Sequence, residues 1–244
     1  MSSPIAVQRQ TLTESYPELL AIESSGERCE VAFAKGVDCY VATDGEVRDH
    51  SAVLTLLVES VLQAAGVSAK EIKAVAVSAG PGSYTSLRIG LATAKGMAYA
   101  IGCPIIAVPT LEALASEMAQ RIPDGVSPKA LLPMIDARRM EVYTQPYSLT
   151  LSPLGDPSPR IFDGETRPFF AEFAPALFGG PGAQKGSAYL EALEYHFLPG
   201  VELTAGALLP LALQRYKREE FASLAYLEPL YLKEFVALPS KKLF

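Results

Sequence analysis

Apolar positions along the chain fall into short runs and stripes whose period changes several times. Leu19-Leu20-Ala21-Ile22 ends on Glu23, Ser24-Ser25-Gly26-Glu27 supplies a turn, and residues 29–34 alternate as a second strand. A Lys35-Gly36 break precedes a third strand over 38–43 that closes at Asp44-Gly45, so an antiparallel meander of three strands is expected. Over 51–65 the pattern turns helical, with Val53, Leu54, Leu57, Val58, Val61 and Leu62 at spacings of three and four, and Gly66 ends it. Ala74-Val75-Ala76-Val77 lacks alternation, as in a parallel-sheet strand buried on both faces. It runs through Ser78-Ala79-Gly80-Pro81-Gly82-Ser83 into a helix over 84–101 stopped by Gly102 and Pro104. A buried strand over 105–108 then precedes a helix reaching Arg121, with Thr110 as its expected cap. Residues 1–17 are polar and mixed and read as a flexible extension.

Two prolines, a glycine and an aspartate within 123–129 mark a boundary, dividing the chain into lobes at 18–122 and 123–244. The second lobe opens as the first does. An apolar run ends on Asp136, Ala137-Arg138-Arg139 turns, and residues 140–147 alternate, so Ile135-Asp136 and Glu141-Val142 echo Ile22-Glu23 and Glu30-Val31. Residues 148–159 form a surface connection. Helices are expected over 169–178, 184–195 and 205–221, the last with a basic end at Arg215, Lys217 and Arg218, before an extended apolar tail over 227–232 that docks on the body. The fold class is α/β, with two lobes that each carry a mixed sheet flanked by helices. That is the plan of actin-like (ASKHA, ribonuclease H-like) proteins, where the first strand of each lobe delivers an acid to the cleft between them.

Four features carry candidate chemistry. The turn at Gly80, Gly82, Ser83 and Thr85 joins a strand to a helix N-terminus, where a phosphate or carboxylate can sit; the alternative is that the glycines only let the helix approach the sheet. It is no P-loop, since G-x-x-x-x-G-K-[ST] is absent. Leu87, Gly90, Leu91, Ala94 and Ala98 form a small-residue stripe on the following helix. With Leu54 and His50 of the earlier helix they make either a face for a second chain or an intramolecular seam. Glu23 and Asp136 are either paired carboxylates for magnesium–nucleotide or acids that accept hydrogen bonds from their own turns. Arg138-Arg139 either grips phosphate or is a solvated turn.

Composition narrows the functions. The 244 residues are 49% hydrophobic and 20% charged, and 21 basic against 27 acidic residues leave −6, which disfavours non-specific wrapping of nucleic acid or an anionic membrane. His50 and His196 stand far apart, and Cys29, Cys39 and Cys103 have no ligand spacing, so no compact zinc site is expected. The unpaired cysteine pattern, with neither a secretory signal nor an apolar stretch of spanning length, points to a cytoplasmic protein without membrane contact.

The run Gly80-Pro81-Gly82-Ser83-Tyr84-Thr85-Ser86-Leu87-Arg88-Ile89-Gly90, continued by Ala92-Thr93-Ala94-Lys95-Gly96, closely resembles the signature of the bacterial TsaB (YeaZ) family. So does Ile135-Asp136-Ala137-Arg138-Arg139-Met140-Glu141-Val142-Tyr143, where the family shows D-A-R-x-G-E-V-Y. Supporting matches are the opening Leu20-Ala21-Ile22-Glu23, His50 before a serine and a helix, and the closing Glu228-Pro229-Leu230-Tyr231-Leu232. The resemblance implies an actin-like fold without catalytic competence of its own. It also implies pairing through N-lobe helices with the catalytic paralogue TsaD, and work with the ATPase TsaE. Together they transfer threonylcarbamoyl to the adenosine beside the tRNA anticodon. TsaD carries a metal-binding H-x-x-x-H pair, whereas here His50 is followed at the matching position by Leu54. No intrinsic cofactor is therefore expected, with ATP or ADP and metal on the partners, a homodimer in isolation, and tRNA held mainly by the complex. The chain departs from the family at Glu23 (usually Asp), at Ser86 (usually Gly), and at Gly179-Gly180-Pro181-Gly182-Ala183, where G-D-G-A is common; that missing acid disfavours an independent nucleotide site. The competing reading is an acetate- or sugar-kinase-like phosphotransferase using Glu23, Asp136 and the Gly80 turn. A third, a metalloprotease, lacks its histidine pair.

Overall fold

A computed structural model of the chain describes residues 5–44 and 50–233. Its first sheet comprises β1 (Val7–Glu23), β2 (Glu30–Thr43), β3 (Ala74–Ser78) and β4 (Ile105–Val108), in the order β2-β1-β3-β4. β1 and β2 are antiparallel, and β3 and β4 add in parallel through the crossover helices α1 (His50–Ala65) and α2 (Tyr84–Ile101). After α3 (Thr110–Ala119), the second sheet repeats the plan in the order β7-β6-β5-β8-β9. There β5 (Ala130–Asp136), β6 (Glu141–Thr144) and β7 (Ser158–Ile161) form the antiparallel meander. β8 (Ala176–Gly179) and β9 (Tyr195–Leu198) follow in parallel by way of α4 (Arg167–Glu172) and α5 (Ser187–Glu191). A further helix, α6 (Ala205–Lys217), is the last among the described residues of this actin-like architecture.

Strand alternation decides which helices cover which face. Leu20, Ile22, Val31, Phe33, Val75 and Val77 face α1 and α2, meeting Leu54, Leu57, Val61, Leu91 and Ala94. Their neighbours Leu19, Ala21, Ala32, Ala34, Ala74 and Ala76 face the other way, onto Leu208, Leu209 and Ala212 of α6. Alanines dominate that side, which lets α6 lie close. On the second sheet Leu131, Ile135 and Leu177 meet Leu111, Leu114 and Met118 of α3, while Leu132, Met134 and Phe178 pack outward with Phe170 and Leu190. The helices α3 and α6 thus form a layer between the two sheets, tied by Arg215 Nη2 to both Glu112 carboxylate oxygens at 2.7 and 2.9 Å.

Several expectations need correction. Residues 7–17 are not a loose extension but the outer part of β1, in register with β2 from Val7↔Ala42 to Thr11↔Asp38. Most of this ribbon is exposed, so its strand needs no apolar alternation and leaves none to read. The expected second and third strands are one strand, β2, with Gly36 opposite Tyr16 at an irregularity, so the first lobe has a hairpin where a three-stranded meander was expected. The Gly45 half of the Asp44-Gly45 turn lies outside the described residues. Helices expected over 169–178 and 184–195 are shorter and give way to β8 and β9, because apolar runs of four residues carry no decisive period. By sequence position α6 falls in the second lobe, yet it packs on the first sheet. Thr110 does not cap α3; Pro109 holds that position, and the Thr110 hydroxyl accepts the Gly80 amide at 3.1 Å instead.

Candidate functional site

Glu23 ends β1 fully buried. Its Oε1 accepts the Ser25 amide at 2.6 Å, the Ser25 hydroxyl at 2.5 Å and the Ser78 hydroxyl at 3.2 Å, while the buried Oε2 has no hydrogen-bond partner among the described residues. Burial pushes the carboxyl up to about 7, against the Ser25 and Ser78 hydrogen bonds that pull it down. Glu23 therefore organises its own turn. Asp136, at the same place in the second lobe, is exposed. Its Oδ1 accepts the Arg138 amide at 2.5 Å and Lys185 Nζ at 2.6 Å. Partial burial works against ionisation there, but Lys185 and the Arg138 amide prevail and hold the carboxyl below its usual range. Each acid serves its own turn, as the second of the two sequence readings has it. Among the described residues no group of three His, Cys, Asp or Glu is placed to hold a metal ion, and the three cysteines are free, two of them buried.

The turn after β3 is tightly committed. The Gly80 amide goes to Thr110, the Gly80 carbonyl accepts the Thr110 amide at 2.9 Å, and the Ser83 amide goes to the Ser25 carbonyl at 2.7 Å. A Cβ on Gly82 would stand 2.5 Å from the Ser25 carbonyl oxygen, so only glycine fits there. Gly182 repeats this contact in the second lobe, where a Cβ would stand 2.7 Å from the Asp136 amide. The sequence Gly-Pro-Gly follows both β3 and β8, pressing each time on the end of its lobe's first strand. The duplication thus extends beyond the echo of the two strand ends. Ser83 and Thr85 are exposed, but neither hydroxyl caps α2; Ser83 Oγ lies 2.9 Å from Ser86 Oγ. Two of the amides that an anion at this turn would use are already engaged.

The expected interface residues prove to be inward-facing. His50, Leu54, Leu87, Gly90, Leu91, Ala94 and Ala98 are all buried within this chain, Leu54, Leu91, Ala94 and Ala98 in the first core and Gly90 against Ser24. The small residues admit the sheet rather than a second chain. His50 opens α1, with Nε2 3.1 Å from the Glu27 carbonyl oxygen. The opposite faces are open. Ala52, Thr55 and Leu56 on α1, and Ala92, Gly96 and Tyr99 on α2, are exposed, Tyr99 at 82%. Beside them a groove of about 430 Å³ runs between Thr55, Leu62, Val67 and Met97.

Residues 222–233 form a strap that runs from β4 along α2 to its N-terminal end. The Ala222 amide bonds to the Ile105 carbonyl, Lys95 Nζ to the Leu227 carbonyl at 3.0 Å, and the Leu230 amide to the Ala79 carbonyl at 2.7 Å. Tyr231 packs on Tyr84 with ring centroids 4.6 Å apart and accepts Arg88 Nε at 3.0 Å, while the Arg88 guanidinium lies 4.1 Å from the Tyr84 centroid. Lys233 then pairs with Glu141 of the second lobe. Apolar residues in the tail announced the docking; the tie between lobes left no local signal.

The family model described as TsaD: tRNA N6-adenosine threonylcarbamoyltransferase matches residues 41–164. The E. coli (strain K12) protein described as tRNA threonylcarbamoyladenosine biosynthesis protein TsaB is 28% identical over 92% of this chain and 99% of its own. The chain belongs to this family, on its TsaB (YeaZ) branch. A crystal structure described as an uncharacterized protein with similarity to peptidase YEAZ from Pseudomonas aeruginosa superposes with a TM-score of 0.72 at 27% identity, over 89% of this chain and all of that one. The tRNA N6-adenosine threonylcarbamoyltransferase of Geotalea uraniireducens (strain Rf4) is 36% identical over 38% of this chain, which is 32% of its own length. The match to the TsaD family model spans α1, the Gly80 turn and α2 of this chain. Among the described residues no helix is long and apolar enough to cross a membrane.

Proposed function

We propose that this chain is a non-catalytic subunit in tRNA threonylcarbamoyladenosine biosynthesis, pairing through the outer faces of α1 and α2 with a TsaD-type paralogue. The observation that carries this reading is the match of the TsaD family model to residues 41–164; the resemblance further implies that His50 and Leu54 stand at the positions of TsaD's histidine pair, with the second histidine replaced. Shared helices in two paralogues favour pseudo-symmetric pairing, in which each chain covers the other's exposed face. Ala92 and Gly96 let a partner helix approach, and Tyr99 and Leu56 supply apolar area. Alone, the chain covers the same face with a second copy. A TsaE-type ATPase joins the pair, and ATP or ADP and metal reside on the partners. The committed amides of the Gly80 turn and the self-contained Glu23 support this division of labour over a phosphotransferase.

The test is co-purification of the chain with the TsaD of its own organism, together with tRNA modification after depletion. Association and loss of threonylcarbamoyladenosine are expected. No association with unaltered modification would refute the proposal, and tight magnesium–ATP binding by the isolated chain would favour the phosphotransferase.

A further inference from the structure

The loop joining β5 to β6 holds two consecutive arginines in the left-handed region, Arg138 at φ 71° and Arg139 at φ 51°. Side chains pay a steric penalty there that glycine avoids and asparagine reduces. The loop is also braced. Asp136 Oδ1 accepts the Arg138 amide, and Lys185 Nζ bridges that oxygen, the Arg139 carbonyl at 2.9 Å and the Glu141 carbonyl at 2.7 Å. Both arginines are exposed, and neither guanidinium has an ion-pair partner among the described residues. Lys233 enters from the strap to pair with Glu141. In this small region Arg138, Arg139, Lys185 and Lys233 outnumber Asp136 and Glu141, although the whole chain carries −6. Two residues back along the strap, Tyr231 and Tyr84 stack with Arg88 against them.

We propose that Arg138 and Arg139 form an RNA contact, gripping backbone phosphates of a folded RNA, and that the aromatic stack on the strap continues the same surface. Braced, adjacent guanidiniums suit phosphate oxygens because each presents a planar fork of donors. A residue choice that costs backbone strain at an exposed loop is accounted for by what the two side chains reach. The inference rests on the tRNA-modifying role proposed above.

The test uses the chain assembled with its TsaD-type partner and tRNA, with binding followed by fluorescence anisotropy at several salt concentrations. The double variant Arg138→Asn with Arg139→Gly puts residues suited to φ > 0 at both positions, so it should melt no lower than the parent. Its tRNA affinity is expected to fall at least ~10-fold at low salt, with the slope of log affinity against log salt reduced by about 1 to 2. Unchanged affinity and slope in an intact complex would overturn the RNA contact and leave the functional reading standing. Weaker partner association with undiminished RNA affinity would also overturn it, pointing to an acidic protein surface. A parent complex that neither binds nor modifies tRNA would overturn both.

Discussion

Gly90 of α2 lies directly on Ser24, so that a Cβ at Gly90 would stand 2.0 Å from Ser24 Oγ and 3.0 Å from Ser24 Cβ. Ser24 is fixed, its hydroxyl donating to the Ser86 carbonyl at 3.0 Å. The contact therefore clamps the turn after β1 between strand and helix. Gly90→Ala is expected to destabilise the chain by about 2–3 kcal/mol through overpacking, read as a lower midpoint in urea. A neutral effect would show that Ser24 can move aside.

Gly96 provides the contrast, because nothing lies within 4 Å of a Cβ built there. Gly96→Ala should raise stability by about 0.5–1 kcal/mol from helix propensity alone. Gly96→Arg or Tyr99→Asp should leave the melting temperature within a few degrees yet weaken partner pairing ten-fold or more, about 1.4 kcal/mol. Sedimentation of the chain with its partner checks this; pairing that survives both changes would place the interface elsewhere.

Glu23 makes stability depend on pH. Its carboxyl titrates near 7 in the folded chain against an ordinary value of 4.5, so the native state binds more protons than the unfolded state between those limits. Stability should then fall as pH rises from about 5 to about 7 and level off above that. Glu23→Gln keeps an acceptor for Ser25 and Ser78 without the buried charge. It should flatten that segment of the curve and exceed the parent at pH 8 by up to roughly 3 kcal/mol. Parallel curves for the two proteins would mean that Glu23 does not set the slope.

The strap is held by polar and ring contacts over an exposed helix end, so its loss should be felt locally. Tyr231→Ala removes the Tyr84 stack and the Arg88 hydrogen bond. A cost of about 0.5–1.5 kcal/mol is expected, with faster amide exchange at Ala79, Gly80 and the first turn of α2. Exchange confined to residues beyond 222 would show that the strap reports on itself alone.

What the sequence discloses follows from the range of the interactions. The helices α1 and α2 and the Gly80 turn are legible because their periods and glycines are local. The same stripe of Leu87, Gly90, Leu91 and Ala94 reads equally as a seam against a sheet or a seam against a partner, since both demand small residues at one spacing; only the position of Ser24 separates them. The outer part of β1 is polar because a two-stranded ribbon meets water, and β8 and β9 are too short to establish a period. Lys185 sits 49 positions from Asp136 in a segment with no motif of its own, and nothing near either residue announces their bond. Tying Glu23 and Asp136 to their own turns was available from sequence as one of two readings, and the hydrogen bonds of Ser25 and Arg138 agree with it.

The position of α6 bears on how the chain is made. Residues 7–119 contain the whole first sheet, yet the face formed by Leu19, Ala21, Ala34 and Ile106 is covered by a helix that begins only at Ala205. On the ribosome that face stays bare while the entire second sheet is being synthesised, and a fragment cut at the 123–129 boundary keeps it bare permanently. The two sheets are thus separate in architecture but inseparable in biogenesis. A nascent chain of this protein therefore keeps that apolar face open until α6 has left the ribosome.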